Sequence, residues 1–524
     1  MKTTNKLDTS LNLSQISMGK DTYLFFVSLL LLSFGACRQN TGTINQPPNL
    51  LWIVLEDTSP ILGCYGSDLV QTPHIDAIAQ NGVLFTNAIM PAPVCSPSRS
   101  SIITGMMSTT LGAHNHHSSR TLASAIHLPD SIQTIPELFQ KAGYFTFNNG
   151  KDDYNFAYDR KALYQQEYLQ HPLYGKKGEA VDLADLKTKA PFFGQIQLSG
   201  GKEIFSSSFR EKVRQPVDRS KIDLPPFLPK HPEIIEEYAN HLDAIHITDA
   251  KVGAIIGQLE EHGLLKNTIV FFFSDHGMRL TRHKQFLYEG GIKVPLLIAD
   301  YTEKKKIGKG ETNHALVSGL DLGPSALALA GIPIPAYIEG QDIFSEAIKP
   351  RQYVISTRDR CDFTIDRIRS VRTKDFKYIR NFMTDRPYTQ PTYMDVDQVA
   401  FVKTMKELSS EGLLDSVQER FFSKIRPAQE LYSLKDDPFE LNNLADDPAY
   451  QEVVNEHSKI LEEWITRTND QGQYPESQEG LKLMLGIWGA HAVNPEYEPL
   501  RKAYDGLAGS QFELKREKWK KVED

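Results

Sequence analysis

The run Asn49-Leu50-Leu51-Trp52-Ile53-Val54-Leu55 ends abruptly in Glu56-Asp57. An apolar stretch of this length, rich in strand formers and without polar alternation, predicts a strand buried on both faces of a parallel sheet. Open sheets of that kind bind ligands beyond the C-terminal ends of their strands. Two adjacent carboxylates at that place suit a hard divalent cation such as calcium or magnesium, although Asp57-Thr58-Ser59-Pro60 is also good turn chemistry. Thr268-Ile269-Val270-Phe271-Phe272-Phe273-Ser274 repeats the pattern and stops at Asp275-His276. The sequence therefore predicts an α/β fold, a large, mixed, mostly parallel sheet flanked by helices, with Glu56, Asp57, Asp275 and His276 as candidate metal ligands.

Between these strands lies Pro93-Val94-Cys95-Ser96-Pro97-Ser98-Arg99, which continues to Thr104-Gly105. Pro97 disfavours a helical conformation at Ser96, and Ser98 is expected to cap a helix over Arg99 to Thr104. Cys95 would then precede a helix N-terminus, where a thiol's pKa falls and negative charge is favoured. A buried structural cysteine is the alternative reading of the same residues.

The pattern Cys95-x-Pro97-Ser98-Arg99, followed by Thr104-Gly105, resembles the signature of type I sulfatases, members of the alkaline phosphatase superfamily. The resemblance implies an alkaline phosphatase-like fold. It also implies that a maturase oxidises Cys95 to formylglycine, whose hydrated form attacks sulfur. By the same resemblance Glu56, Asp57, Cys95, Asp275 and His276 hold calcium, or magnesium, and Arg99 stabilises the modified residue. The segment from Lys284 to Pro295 resembles the family's Lys-x-x-Leu-Tyr-Glu-Gly-Gly-x-x-Val-Pro, which makes Lys284 a sulfate lysine. His283 beside it is either a proton donor or a solvated loop histidine. Gly150-Lys151-Asp152-Asp153 stands where sulfatases commonly show Gly-Lys-Trp-His. Lys151 matches, and Asp153 replaces the histidine that helps eliminate sulfate, although a carboxylate is the weaker base. Lys202, after a strand expected over Pro191 to Leu198, falls near the place of a second histidine and is expected at the sulfate.

His114-Asn115-His116-His117 invites a transition-metal reading. Adjacent histidines lack the one-face geometry of a spaced pair, however, and no cysteine accompanies them in the sequence. His114 and His116 are therefore expected to face substrate from a polar loop. Arg358 and Arg360 are suited to bidentate anion contacts and are expected to grip a carbohydrate's sulfate or carboxylate, with ordinary surface arginines as the alternative.

The 524 residues, 40% of them hydrophobic, suffice for one large domain and a smaller one. A net charge of -8, with no long basic run outside the mixed-charge tail at 515–521, argues against nucleic acid as a partner. Cys37, Cys64, Cys95 and Cys361 show neither metal-ligand spacing nor a disulfide framework. The apolar run from Tyr23 to Phe34, followed by Gly35-Ala36-Cys37, is too short to span a membrane well. It resembles a bacterial lipoprotein signal in which Cys37 is lipidated, an uncut membrane anchor being the alternative. The expected organisation is a signal peptide at 1–37, a tether at 38–48, a catalytic domain at 49–345 and, resembling the family's small C-terminal subdomain, an antiparallel sheet with a helix at 346–524. The expected protein is an exported, membrane-anchored lipoprotein, periplasmic or at the cell surface. It is expected to hydrolyse sulfate esters or N-sulfates of a sulfated oligo- or polysaccharide such as an algal galactan, ulvan or a glycosaminoglycan. A phosphatase or phosphonate hydrolase of the same superfamily and a catalytically inactive carbohydrate-binding lipoprotein are the competing readings.

Overall fold

The computed structural model describes residues 46–171, 175–397 and 399–504, so Cys37 and the tail at 515–521 lie outside the described residues. The chain from Pro47 onward forms one compact unit. Among the described residues its large sheet contains β1 (Asn49–Leu55), β2 (Gly82–Ile89), β3 (Phe145–Asn149), β4 (Gln166–His171), β5 (Gly175–Gly178), β6 (Phe192–Leu198), β7 (Thr268–Ser274), β8 (Lys293–Asp300) and β9 (Glu311–Ser318). Their order is β5-β4-β3-β6-β1-β7-β8-β2-β9. The neighbours β4, β3, β6, β1 and β7 run parallel, whereas β5 and β8 oppose the strands beside them.

Strand β1 is paired on both edges and buried along its whole length, as its unbroken apolar run requires. Successive side chains point to opposite faces. Leu51, Ile53 and Leu55 pack with Ile234, Tyr238, Leu242 and Leu259 of the long helix Pro232–Glu261. Leu50, Trp52 and Val54 pack on the other face with Ile102 and Ile103 of the helix Cys95–Thr104 and with Leu322 and Leu327 of the helix Leu322–Ala330. In chain order these helices are α1 (Cys95–Thr104), α2 (Pro232–Glu261) and α3 (Leu322–Ala330).

Helix α1 begins at Cys95, not at Arg99 as the sequence led us to expect, and Val94 is its N-terminal flanking residue. Proline is tolerated here because the first turn of a helix has no intrahelical acceptors for its N–H groups. Ser98 is helical, and its hydroxyl donates to the Asp275 carbonyl at 2.6 Å instead of capping. Gly105 ends the helix at φ 68°. A Cβ at that position would sit 2.9 Å from Ile338 Cγ2.

The second sheet is antiparallel and consists of β10 (Tyr353–Arg358), β11 (Ile368–Thr373), β12 (Phe376–Asn381) and β13 (Gln429–Ser433). Helix α4 (Gln451–Thr468) covers it, with Val454, Leu461 and Trp464 packed against Ile355, Val371, Tyr378 and Leu431. Strand β10 is tied to the segment leading into Cys95. Ser356 Oγ donates to the Met90 carbonyl at 2.7 Å, and the Thr357 N–H donates to the Pro91 carbonyl at 2.9 Å.

Candidate active site

Because β3, β6, β1 and β7 are adjacent and parallel, their C-terminal ends lie side by side. Each delivers charged groups to the same place: Lys151 and Asp153 after β3, Lys202 after β6, Glu56 and Asp57 after β1, Asp275 and His276 after β7. Cys95 enters at the N-terminus of α1. The two strands singled out in the sequence are thus direct neighbours, and their terminal residues meet.

His276 Nε2 lies 3.2 Å from Cys95 Sγ and 3.3 Å from Asp57 Oδ1. Its Nδ1 is 2.9 Å from the Gly277 carbonyl, which can only accept, so Nδ1 carries a hydrogen and Nε2 is the nitrogen that faces the carboxylates. One donor atom each from Asp57, Cys95 and His276, and likewise from Glu56, Cys95 and Asp275, falls within 4.8 Å of the others. Buried carboxylate oxygens with one imidazole nitrogen, oriented by a backbone carbonyl, fit a divalent cation.

The surrounding cations balance these carboxylates. Lys151 Nζ lies 3.0 Å from Glu56 Oε2, and Lys202 pairs with the same oxygen. Lys284 Nζ reaches both Asp57 oxygens, at 3.0 and 3.1 Å, and stands 3.6 Å from Cys95 Sγ; Lys202 Nζ stands 3.7 Å from it. Burial opposes ionisation of the Cys95 thiol, but Lys151, Lys202, Lys284 and His276 outweigh it and hold the thiol well below its ordinary range. The site therefore stabilises negative charge at position 95. Lys202 can approach so closely because Gly200 and Gly201 pass against β1's exit: added Cβ atoms would fall 2.3 Å from the Glu56 carbonyl and 2.2 Å from that of Asp57.

Arg99 joins three strand ends. Its Nε donates to Asp275 Oδ2 at 2.9 Å, and its Nη1 donates to Gln197 Oε1 at 2.8 Å and to the Lys151 carbonyl at 3.3 Å. Gln197 was not singled out in the sequence. Two glutamines, Gln195 and Gln197, inside the largely apolar β6 are the signal that could have found it.

Five other expected site residues have surroundings that differ from their sequence reading. Asp153 was expected as the elimination base, but it is enclosed by Lys151 at 3.2 Å, His117 Nε2 at 3.3 Å and Arg120. Although burial opposes it, these charges keep the carboxylate well below its usual range, so it is an ion-pair centre and a poor proton acceptor. His283 Nδ1 lies 2.8 Å from the Thr281 carbonyl and so carries the hydrogen. Burial pushes this histidine down to about 4, which leaves Nε2 without a proton to donate at neutral pH. Arg358 is buried and paired with Asp366, and Arg360 is buried with its guanidinium on Glu476 at 2.5 and 2.7 Å and on the His116 carbonyl at 2.9 Å. Both arginines staple the structure and do not present themselves to a substrate. His114 lies among Asp359, Arg369 and Asp470, with Nδ1 buried and without a hydrogen-bond partner.

The histidine loop is not an open polar loop. His116 and His117 stack at 3.6 Å, and Asp362 Oδ1 stands 3.3 Å from His116 Nδ1 and 3.4 Å from His117 Nδ1. Cys361 stands close enough to His116 to favour its charged form, so a cysteine accompanies the pair after all, brought by the chain after β10. Asp57, His117, Asp153 and Asp362 adopt positive φ of 50°, 59°, 55° and 48°. Backbone strain of this kind clusters where side chains must be aimed at a common point.

A family model described as sulfatase matches residues 48–332, and one described as N-sulphoglucosamine sulphohydrolase, C-terminal, matches residues 277–425. An ulvan-active sulfatase of Formosa agariphila is 32% identical over 86% of this chain and 79% of its own length. The N-sulphoglucosamine sulphohydrolase of Homo sapiens is 26% identical over 84% of this chain and 93% of its own. A solved structure in complex with its substrate D-glucosamine-2-N,6-O-disulfate shares the fold, with a TM-score of 0.58 at 20% identity over 82% of this chain and all of that one.

Proposed function

This chain belongs to the sulfatase family, a hydrolase of sulfated carbohydrate, and on that premise we propose that it desulfates a polysaccharide of the ulvan type through an oxidised Cys95 and a bound calcium ion. The observation that carries the substrate class is the 32% identity to an ulvan-active sulfatase across most of both chains. The match of residues 277–425 to the C-terminal model of N-sulphoglucosamine sulphohydrolase favours N-sulfated glucosamine as the second reading.

Glu56, Asp57, Asp275 and His276 would hold the cation, which supplies Lewis-acid polarisation of the sulfate oxygens. Oxidation of Cys95 supplies an oxygen nucleophile in place of sulfur. The chain's own residues do the remaining work. Lys151, Lys202 and Lys284 are held charged by the carboxylates beside them although burial opposes it, so they offset the charge of sulfate as it moves. Arg99 holds Asp275, Gln197 and the Lys151 backbone in one register. The complete set of cations argues for turnover over an inactive binding protein.

The catalytic domain at 49–345 and the subdomain at 346–524 would act together, because the chain after β10 supplies Asp362. Among the described residues no helix is long and apolar enough to cross a membrane, and lipidation at Cys37 would attach the enzyme to an exported membrane face. The test is sulfate release, followed by ion chromatography, from ulvan oligosaccharides and from glucosamine N-sulfate with maturase-treated protein. Release from ulvan is expected; release from glucosamine N-sulfate alone would overturn the ulvan reading.

A further inference from the structure

Cleavage of a sugar sulfate leaves an alkoxide, a poor leaving group unless its oxygen receives a proton. The groups already described do not serve. The lysines are locked to carboxylates and hold their protons too tightly, Asp153 remains ionised, His283 presents a bare Nε2, and His276 belongs to the metal set.

His116 is different. One of its ring nitrogens, Cys95 Sγ and a carboxylate oxygen of Asp153 all lie within 4.8 Å of one another. Its other neighbours fix the ring: His117 stacks on it, Asp362 Oδ1 stands 3.3 Å from Nδ1, Cys361 stands beside it, and the Arg360 guanidinium and backbone clamp its main chain. Nδ1 is a buried atom without a well-directed hydrogen bond, so its contact with Asp362 is electrostatic.

We propose that His116 is the general acid that protonates the sugar oxygen, and that Asp362, delivered by the chain after β10, is its positioning residue. This rests on the sulfatase reading. The bond between sulfur and the sugar oxygen breaks and its electron pair goes to that oxygen, which takes the imidazolium proton. The sulfuryl group passes to the hydroxyl oxygen at position 95, whose proton leaves to solvent, and the neutral imidazole recovers a proton from water. The titratable and charged groups that face His116 are Asp362, Cys361, His117, Asp153 and Arg360. Burial disfavours the imidazolium, yet Asp362 outweighs it and holds the ring well above its ordinary value, so the proton is in place at neutral pH.

The test uses the full matured chain and its His116→Gln and Asp362→Asn variants on two probes, ulvan oligosaccharides with an alkoxide leaving group and 4-nitrophenyl sulfate with an activated one. His116→Gln is expected to slow the sugar reaction at least about 100-fold more than the aryl reaction, within the range of general acid catalysis. Asp362→Asn is expected to move the basic limb of the kcat profile on sugar to lower pH, because the imidazolium loses its counter-charge. Equal losses on both probes, or an unmoved limb in Asp362→Asn, would overturn the assignment. So would a stoichiometric zinc ion retained by wild type after loading with calcium alone and lost in His116→Gln, since the cluster would then be a metal site. A matured wild type that releases sulfate from no sugar overturns the family-based substrate reading itself, and this inference with it.

Discussion

Replacing Arg99 by methionine would remove the one guanidinium that ties the ends of β3, β6 and β7 together. Asp275 has no solvent exposure, and after the change its carboxylate keeps only the Asp57 N–H at 3.3 Å and the His276 ring at 3.6 Å. Removing one partner of a buried ion pair costs about 3–5 kcal/mol, because the remaining charge stays in a medium that solvates it poorly. The apolar methionine stem recovers little of this, since the space it fills is lined by Gln197 and the Lys151 carbonyl. An unfolding entropy of about 2.1 cal/mol/K per residue sums to roughly 1 kcal/mol/K over the unit from Pro47 to Asp524, so Tm should fall by about 3–5 °C. The assay is differential scanning fluorimetry in chelator, beside sulfate release. Arg99→Lys should recover part of the Tm and little of the activity, because an ammonium cannot span the fork from Asp275 to Gln197. A Tm for Arg99→Met within 1 °C of wild type in chelator would refute the claim that this guanidinium offsets the buried charge of Asp275.

The remaining predictions concern the nucleophile, the metal, pH and the backbone. Cys95→Ala should abolish sulfate release without loss of fold, and peptide mass spectrometry across residue 95 of matured wild type should show an aldehyde; only thiol from a maturation-competent host contradicts the proposed nucleophile. Chelation should remove activity and calcium restore it, and calcium at 100 times its Kd should stabilise the fold by about 2.7 kcal/mol; Asp57→Asn should need more calcium for the same Tm gain. Burial depresses His283 from 6.5 to about 4, so the unfolded chain takes up a proton first as pH falls. The neutral, buried form therefore favours folding above pH 6.5, and that contribution drains away between pH 6.5 and 4. His283→Gln should flatten the acid slope of stability by up to about 3 kcal/mol, at about 1.36 kcal/mol per pKa unit, and an unchanged slope in urea titrations at pH 4 and 7 contradicts the assignment. Gly105→Ala must adopt φ 68° and press within 2.9 Å of Ile338 Cγ2, which should cost about 1–3 kcal/mol; a stability equal to wild type in the same titration argues against that strain.

Much of the fold was legible because its signals are local. The apolar continuity of residues 49–55 and 268–274 can be read within seven positions, and it forces two-sided burial wherever the strands end up. The carboxylates that follow each run were legible for the same reason, as was the Cys95 motif, whose residues are contiguous. Pro97 makes a helix start at Arg99 look natural, yet the helix starts four residues earlier at Cys95, because the first turn has no hydrogen bond for proline to break.

Tertiary structure alone decided how the charges pair. Arg358 and Arg360 have the composition of an anion grip, yet Asp366 and Glu476 neutralise them inside the fold. Asp153 has the chemistry of a base until Lys151, Arg120 and His117 surround it. His116 and His117 acquire Asp362 and Cys361 only because β10 is pinned to the strand leading into Cys95, which joins segments far apart in the chain. A buried charge takes its free energy from whatever lies within a few ångströms of it, and that neighbourhood depends on which segments the sheets bring together, a relation that no local stretch of residues encodes.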